Sequence, residues 1–386
     1  MELFTGAGGL AIAAHRAGFR HEALFEWNKE ACGTLRKNAI GNALQGTRSW
    51  KLREGDIRNV SFREFEGIGL VAGGPPCQPF SIGGKHRGME DDRDMIPHFI
   101  RAVRETRPKA FIMENVKGLT REAFRNYLSY TELQLTYPTL TRKQGEDWAD
   151  HLARLEKLHT GKRRPECRYN IVRRVLNSAN YGVAQTRERI FIVGFRSDIA
   201  AHWHFPETTH SLDRLLYDQW VSGDYWDRHG MSRPESPPQR FQARVRHLLD
   251  WMPGMEKPWQ TLRDKISDLP NPAKKGDLAD KLNHRLQTGA RAYKGHTGSP
   301  LDLPSKTLKA GDHGVPGGEN MIAFADGSVR YLTVREAARV QSFPDQWHFE
   351  GAWTEAMRQL GNAVPVDLAK VVATSVAQTL KTNGGR

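Results

Sequence analysis

Residues 2–27 read ELFTGAGGLAIAAHRAGFRHEALFEW, and their pattern indicates the fold class. Its first three residues predict a short strand, and a glycine-rich loop follows. Small apolar residues from Leu10 onward predict a helix, which Gly18 ends. Residues 21–27 predict a second strand. Strand, loop, helix and strand in this order indicate an α/β unit.

The same alternation continues further along the chain. Short apolar runs at 69–72 and 110–113 are typical of buried parallel strands, and the run at 189–195 predicts a further strand. Between the first two runs, apolar residues recur at helical spacing over 96–103. We therefore predict an α/β fold with a doubly wound, mainly parallel sheet.

A shift in composition indicates a second domain. Residues 206–316 hold 11 of the 20 prolines, and residues 203–259 hold five of the ten tryptophans. Strands and helices stop alternating there. We predict a smaller, irregular domain over 196–330 and a discontinuous first domain over 1–195 and 331–386.

Three further helical features are predicted. Thr333 is placed to cap a helix, with Glu336 three residues on. A final amphipathic helix is expected over about 366–380. An insertion over about 120–166 is expected to be helical, because apolar side chains recur there at Trp148, Leu152 and Leu155.

Charge and cysteine content restrict the function. The chain carries 57 Lys and Arg against 44 Asp and Glu, a net charge of +13. This favours a polyanionic partner such as nucleic acid, with a basic protein that has no such partner as the alternative. Three cysteines are too few for a disulfide framework or a cysteine-rich zinc module. No membrane-length apolar run or signal segment is found, so we expect a cytoplasmic protein.

The first loop and the end of the second strand suggest a cofactor site. Gly6, Gly8 and Gly9 allow a tight turn beside a ligand, although their spacing is not the dinucleotide fingerprint. Glu26 is placed to hold ribose hydroxyls, and Trp27 to stack on adenine. These residues indicate a nucleoside cofactor without a pyrophosphate. A glycine-rich turn with an unrelated downstream acid is the alternative.

Three more groups of polar residues lie at strand ends. Cys77 follows a strand, where a thiol can act as a nucleophile, and a buried structural cysteine is the alternative. The segment from Ser81 to Arg93 is typical of a mobile lid. Glu114 follows the next strand, where a carboxyl group can donate a proton. Arg187 and Arg189 enter a further strand and are expected to share one face.

Together these motifs resemble the cytosine carbon-5 DNA methyltransferase family. The matching segments are Phe-Thr-Gly-Ala-Gly-Gly, Gly-Pro-Pro-Cys-Gln-Pro-Phe-Ser, Glu-Asn-Val, Gln-Thr-Arg-Glu-Arg, Arg-Glu-Ala-Ala-Arg-Val-Gln-Ser-Phe-Pro and Gly-Asn-Ala-Val-Pro. They span residue 2 to about 375. The resemblance implies a Rossmann-like domain that binds S-adenosylmethionine without a metal, and a target-recognition domain over 196–330. It also implies that the C-terminal helix folds back onto the first domain.

The resemblance assigns a role to each candidate position. Cys77 is the nucleophile, Glu114 protonates or polarises ring nitrogen 3, and Arg187 with Arg189 supports the base and the active-site loop. The residues expected around the cofactor are Phe4, Gly6, Gly8, Glu26, Trp27, Asp56, Ile57, Pro76, Asn362 and Ala363. Those expected at the substrate and the lid are Gln78, Ser81, Asn115 and Val116.

The implied activity is that of a DNA (cytosine-5-)-methyltransferase of a restriction–modification system. Such an enzyme flips a cytosine out of double-stranded DNA and methylates carbon 5 through a covalent adduct. A cognate restriction endonuclease is a candidate partner. Two alternatives stay open. One is a tRNA-methylating relative, although the Cys-Phe-Thr segment of such relatives is not found. The other is a non-catalytic DNA-binding member, which would usually have lost Cys77 or Glu114.

Three features depart from the family pattern. The first strand starts almost at residue 1 and is unusually short. The insertion over 120–166 is longer than typical. Gly83 stands in the lid where a hydroxyl side chain can occur, so the group that would pair with the orphan guanine is not assigned.

Overall fold

The structure of the protein is a computed structural model in which the chain divides into two compact units. It describes residues 1–76, 93–162, 165–199, 202–276, 280, 283–294, 296–310 and 320–383. The first unit comprises Met1–Leu176, Glu188–Pro206 and Ala369–Arg386, and the second comprises Asn177–Arg187 and Glu207–Leu368.

A seven-stranded sheet forms the centre of the first unit. Its strands are β1 (Glu2–Leu3), β2 (Leu24–Glu26), β3 (Leu52–Glu54), β4 (Leu70–Gly73), β5 (Ala110–Val116), β6 (Tyr169–Asn177) and β7 (Glu188–Arg196). Their order across the sheet is β3-β2-β1-β4-β5-β7-β6. The first five strands pair in parallel, whereas β7 runs antiparallel to β5. The predicted mainly parallel sheet is confirmed.

Helices connect most of these strands. They are α1 (Gly9–Arg16), α2 (Lys29–Ile40), α3 (Ile96–Thr106), α4 (Arg125–Thr136) and α5 (Trp148–Thr160). Asn28 caps α2, because its Oδ1 accepts a hydrogen bond from Ala31 N at 2.8 Å. In α3 the side chains of Phe99 and Val103 lie on one face and are fully buried.

The core of the first unit lies between this sheet and its helices. Phe99 of α3 meets Phe111 of β5 edge to face, with ring centroids 6.2 Å apart. Leu3, Val71 and Met113, from three neighbouring strands, are also fully buried. Strands covered on both faces need continuous apolar sequence, which explains why these runs are visible without the structure.

The predicted insertion is helical. Helices α4 and α5 pack on each other around Tyr130, Tyr137 and Leu155, in a cluster separate from the main core. The predicted apolar stripe of α5 supplies its side of the contact, with Trp148 and Leu152 packed against these three residues.

The second unit is built from short elements. Its helices are α6 (Leu212–Tyr217), α7 (Asp224–Arg228), α8 (Gln239–Leu248), α9 (Leu262–Ile266), α10 (Val334–Val340) and α11 (Trp353–Asn362). Its strands are β8 (His210–Ser211), β9 (Lys257–Pro258), β10 (Ser299–Pro300), β11 (Met321–Ala323) and β12 (Val329–Tyr331). Strands β10–β12 form one small sheet and β8 pairs with β9. Aromatic residues, among them Trp220 and Trp226, build a local core.

The predicted helix cap and the last helix are both present. Glu336 N donates to Thr333 Oγ1 at 3.1 Å, and Thr333 N donates to Glu336 Oε2 at 2.8 Å, which makes a capping box at the start of α10. The last helix, α12 (Val366–Asn383), enters the first unit at residue 369. There Trp203 Nε1 donates to Ser375 Oγ at 2.8 Å.

Two details differ from the sequence predictions. The second strand covers Leu24–Glu26 and not 21–27, because its pairing with the two-residue strand β1 begins only at Leu24. Of the predicted first-domain segment 331–386, only Ala369–Arg386 lies in the first compact unit. The division into catalytic and recognition parts stays a prediction. Across the described residues, no helix combines the length and apolarity needed to cross a membrane.

Gly361 in α11 provides a test of packing in the second unit. A Cβ at this position would lie 2.3 Å from the backbone nitrogen of Ala310. Gly361→Ala should therefore lower the free energy of unfolding by roughly 1–3 kcal/mol, measured by urea denaturation. Gly254→Ala is the matched control, because nothing lies within 4 Å of a Cβ there. Equal stability of the two variants would contradict the close approach.

Candidate active site

The strand order reverses between β1 and β4. In an open α/β sheet, a crevice forms beyond the carboxyl ends of the strands at such a switch point. The loop after β1 and the residues after β4 therefore border one crevice. These are the places where the sequence predicts the glycine loop and the Cys77 segment.

The glycine loop has an unusual backbone. Phe4, Gly6 and Gly8 have φ angles of 56°, 56° and 93°, all in the left-handed region. That conformation costs a glycine little, but Phe4 has a side chain and is strained there, as residues at ligand sites often are. Gly8 precedes α1 and offers no side-chain cap, so the loop leads directly into a helix N-terminus.

The carboxylate of Glu26 joins this loop to the end of β2. Its Oε2 accepts from Gly6 N at 2.7 Å, and its Oε1 accepts from Trp27 N at 3.0 Å and from Asn28 N at 2.9 Å. The side chain is only 8% exposed. A carboxylate has about four acceptor positions, so one position stays open for a ligand hydroxyl.

Trp27 and the end of β3 lie next to Glu26 in the sheet. The Trp27 side chain is 67% exposed, which leaves its ring surface open for stacking. Gly55 N donates to Glu26 O at 2.9 Å and so ties the end of β3 to that of β2. Asp56 accepts from Arg58 Nε at 2.8 Å, and this contact lowers the pKa of Asp56. Ile57 is buried.

Glu114 lies against the start of the Cys77 segment. A Cβ at Gly74 would be 2.9 Å from Glu114 Oε2, so only glycine leaves room for this carboxylate. Gly74 stands three residues before Cys77 in the sequence. The structure thus brings the predicted acid to the predicted nucleophile loop, as far as Pro76. Cys77, Gln78 and Ser81 lie outside the described residues.

Arg189 holds the Glu114 carboxylate from the neighbouring strand. In the antiparallel pair, Val116 is opposite Arg189 and Glu114 is opposite Phe191, so Arg189 and Glu114 are diagonal neighbours on one face. Arg189 Nε lies 2.9 Å from Glu114 Oε1, and the two side chains are 13% and 8% exposed. Burial lowers the pKa of Arg189, and the charge of Glu114 opposes that shift.

Asn115 connects the same strand to the two prolines. Its Nδ2 donates to Pro75 O at 3.0 Å, and its Oδ1 accepts from Val116 N at 2.8 Å. The side chain is buried, so these bonds are shielded from water. Asn115 therefore orients the backbone just before Pro76 and Cys77.

Arg187 behaves differently from Arg189. Strand β7 begins at Glu188, so Arg187 precedes it and is grouped with the second unit. Its fully buried guanidinium donates to Leu308 O at 2.9 Å, Gly361 O at 2.6 Å and Ala363 O at 3.1 Å. Arg187 thereby joins two segments of that unit.

The two remaining cofactor candidates lie at this junction of the second unit. Asn362 is exposed and Ala363 is half-buried, just after the close contact of Gly361 with Ala310. Their assignment to the cofactor stays a prediction, as does a role of Arg187 toward the base.

The residues of the first unit fit a nucleoside ligand. Glu26 offers a fixed acceptor for hydroxyl groups, and Trp27 offers an open aromatic face beside it. The loop from Phe4 to Gly8 has no side chain that would compete with a ligand for the amides, apart from Thr5, whose hydroxyl donates to Phe25 O. The closeness of Glu114 to the loop before Cys77 was predicted, whereas the contacts of Arg189 with Glu114 and of Arg58 with Asp56 were not.

Comparison with known proteins agrees with this geometry. The family model described as C-5 cytosine-specific DNA methylase matches residues 1–135 and 162–378. The chain belongs to this family. It is therefore a DNA (cytosine-5-)-methyltransferase. Within the matched range, the family model leaves out only residues 136–161. This segment of the methylase contains α5.

Similar proteins cover nearly the whole methylase. The type II methyltransferase M.NgoMIV of Neisseria gonorrhoeae is 29% identical over 99% of this chain and 97% of its own length. The type II methyltransferase M.PspPI of Psychrobacter sp. is 32% identical over 98% of this chain and 79% of its own. A crystal structure of a prophage-encoded protein (E. coli), assigned as a DNA modification methyltransferase, shares the fold. Its TM-score is 0.57 at 20% identity, over 98% of each chain.

The Glu26 carboxylate can be tested directly. Glu26→Ala should weaken binding of S-adenosylhomocysteine to the methylase by about 2–3 kcal/mol, because a ligand acceptor and the anchor of Gly6 are lost together. Isothermal calorimetry measures this. Glu22→Ala is the control, since that acid is exposed before β2 and pairs with Lys51. Unchanged affinity in a folded Glu26→Ala protein would remove Glu26 from the cofactor site.

Proposed function

We propose that this methylase transfers a methyl group from S-adenosylmethionine to carbon 5 of a cytosine that is flipped out of double-stranded DNA, through a covalent adduct of Cys77. The observation that carries the proposal is the position of Glu114. This buried carboxylate is paired with Arg189 and packed on Gly74, three residues before Cys77.

The other two cysteines are poor nucleophiles. Burial, together with the nearby carboxylates of Glu54 and Glu26, raises the pKa of the Cys32 thiol to about 12. Burial also raises the pKa of Cys167. Both thiols are buried and protonated at neutral pH, whereas the thiolate is the reactive form. Cys77 is the remaining cysteine, and it lies in the Gly-Pro-Pro-Cys-Gln-Pro-Phe-Ser motif.

The chemistry requires a nucleophile and a proton donor of the protein that act on the same cytosine ring. The Cys77 thiolate forms a bond to carbon 6 of cytosine, and the electron density released into the ring makes carbon 5 nucleophilic. Glu114 supplies a proton or a hydrogen bond at ring nitrogen 3 and so stabilises this adduct. Carbon 5 then takes the methyl group, its proton leaves to water, and the bond between carbon 6 and sulfur breaks.

Arg189 and Asn115 serve as positioning residues in this scheme. Arg189 Nε holds Oε1 of Glu114, and Oε2 of Glu114 lies beside Gly74. Asn115 fixes Pro75 O and hence the backbone that leads to Cys77. Because carbon 5 and carbon 6 are inaccessible in a stacked duplex, the base must leave the helix first.

The cofactor site is assigned to the first unit. S-adenosylmethionine supplies the methyl group from its sulfonium. Glu26 would accept from a ribose hydroxyl and Trp27 would stack on the adenine. The residues that would border the same ligand are Phe4, Gly6, Gly8, Asp56, Ile57 and Pro76. No metal takes part in the proposed reaction. Asn362 and Ala363 are the other two residues that the family resemblance assigns to the cofactor.

Residues 196–330 are assigned to sequence recognition. The net charge of +13 supports binding to DNA phosphates. The similar type II methyltransferases support DNA over tRNA as the substrate, and they make a restriction endonuclease for the same site a candidate partner.

A mechanism-based substrate tests the covalent step. A duplex with 5-fluorocytosine at the target carries fluorine where the carbon-5 proton must leave, so the adduct should persist after methyl transfer. We expect a stable protein–DNA band on a denaturing gel that maps to Cys77, and none from Cys77→Ser, whose hydroxyl is far less ionised. Attachment at Cys32 or Cys167 would contradict the assignment.

The role of Glu114 is tested on the same duplex. Glu114→Gln should slow adduct formation by about 100-fold or more, because the proton donor is lost while the shape is kept. DNA affinity should stay within about twofold, since the phosphate contacts are unaffected. Glu188→Gln is the control, because that acid is exposed and pairs with Lys117 on the neighbouring strand end. Equal rates for the two variants would remove Glu114 from the chemistry.

A further inference from the structure

The chain on either side of residues 77–92 is joined by a direct backbone contact. Met95 N donates to Pro76 O at 3.2 Å, so the residue before Cys77 is bonded to the beginning of α3. Asn115 Nδ2 holds Pro75 O at 3.0 Å from the other side. Any shift of Met95 is therefore transmitted to Pro76, and Pro76 precedes the nucleophile.

Asp94 fixes the position of Met95. Its Oδ1 accepts from Ile96 N at 3.1 Å, which attaches it to the first turn of α3. Its Oδ2 accepts from the hydroxyl of Tyr127 in α4. Asp94 and Tyr127 are each 6% exposed, so water competes little for this bond. The Tyr127 ring belongs to the main core of the first unit, which gives the hydroxyl a rigid support.

We infer that Tyr127 is a positioning residue for methyl transfer: through Asp94 and Met95, its hydroxyl sets the place of Pro76, the residue that precedes the proposed nucleophile in the sequence. The inference rests on the proposed function of Cys77. Tyr127 lies in none of the motifs that mark the family, and its helix leads into the segment that the family model omits. Reactions between fixed groups are sensitive to displacements of about 1 Å, so loss of one such contact is expected to affect the rate of reaction.

The test compares two tyrosines of the same helix. Tyr127→Phe removes the hydroxyl and keeps the ring. Tyr130→Phe makes the same change one turn later, where the buried hydroxyl contacts His151 Nδ1 at 2.8 Å in the insertion. At saturating 5-fluorocytosine duplex and S-adenosylmethionine, Tyr127→Phe should form the covalent adduct roughly 10- to 100-fold more slowly than the unaltered protein. Tyr130→Phe should react at the unaltered rate.

A role of the Tyr127 hydroxyl in stability alone would affect the two variants alike. Both variants lose one buried hydroxyl, so denaturation should show similar losses in the free energy of unfolding. Affinity for S-adenosylhomocysteine should stay within about twofold in both, because the two hydroxyls contact Asp94 and His151, whereas Glu26 is held by the amides of residues 6, 27 and 28. Equal adduct rates for the two variants, fast or slow, would overturn the inference.

A double-mutant cycle tests the path through Asp94. If the hydroxyl acts only through this carboxylate, adding Tyr127→Phe to Asp94→Ala should slow adduct formation no further. If the rate reductions of the two substitutions multiply in the double variant, the path through Asp94 is overturned. Absence of any adduct from the unaltered protein would overturn the proposed role of Cys77. An unaltered rate in Tyr127→Phe would overturn this inference alone.

Discussion

The carboxylate of Glu26 is the interaction on which the cofactor side of the structure depends. Three backbone amides, from the loop after β1 and from the turn after β2, donate to one buried side chain. Such a group cannot be desolvated without these partners, and the strained loop at Phe4 is held further by Thr5 N, which donates to Phe25 O at 3.1 Å. One residue therefore shapes the glycine loop, and we propose that the same residue accepts from a ribose hydroxyl.

A second constraint arises from the direction of β7. In a wholly parallel sheet, the first residues of a strand lie at the edge opposite the ligand crevice. Because β7 runs antiparallel to β5, its first residues meet the last residues of β5, and Arg189 reaches Glu114. The arginine and the acid thus form a buried pair beside Gly74. The pairing of Arg189 with Glu114 therefore depends on the antiparallel direction of β7.

Much of the fold could be predicted from local sequence. Buried strands such as β4 and β5 are continuous apolar runs, and the box of Thr333 with Glu336 depends on residues three apart. Contacts between distant segments could not be predicted. The alternation of Arg187 and Arg189 suggested one shared face, but β7 begins between them and they bind different partners. The contact of Asp94 with Tyr127 likewise joins a residue that precedes α3 to a residue of α4, and the two share no motif.

We propose that this methylase modifies carbon 5 of cytosine in DNA at a particular sequence. Bisulfite sequencing of DNA from cells that have no cytosine methylation of their own, and that express the chain, would detect this modification. Cytosines at one short sequence should resist conversion, and all cytosines should convert when Cys77→Ser is expressed. Complete conversion of the DNA with folded, unaltered protein present, or protection of cytosines in RNA alone, would contradict it.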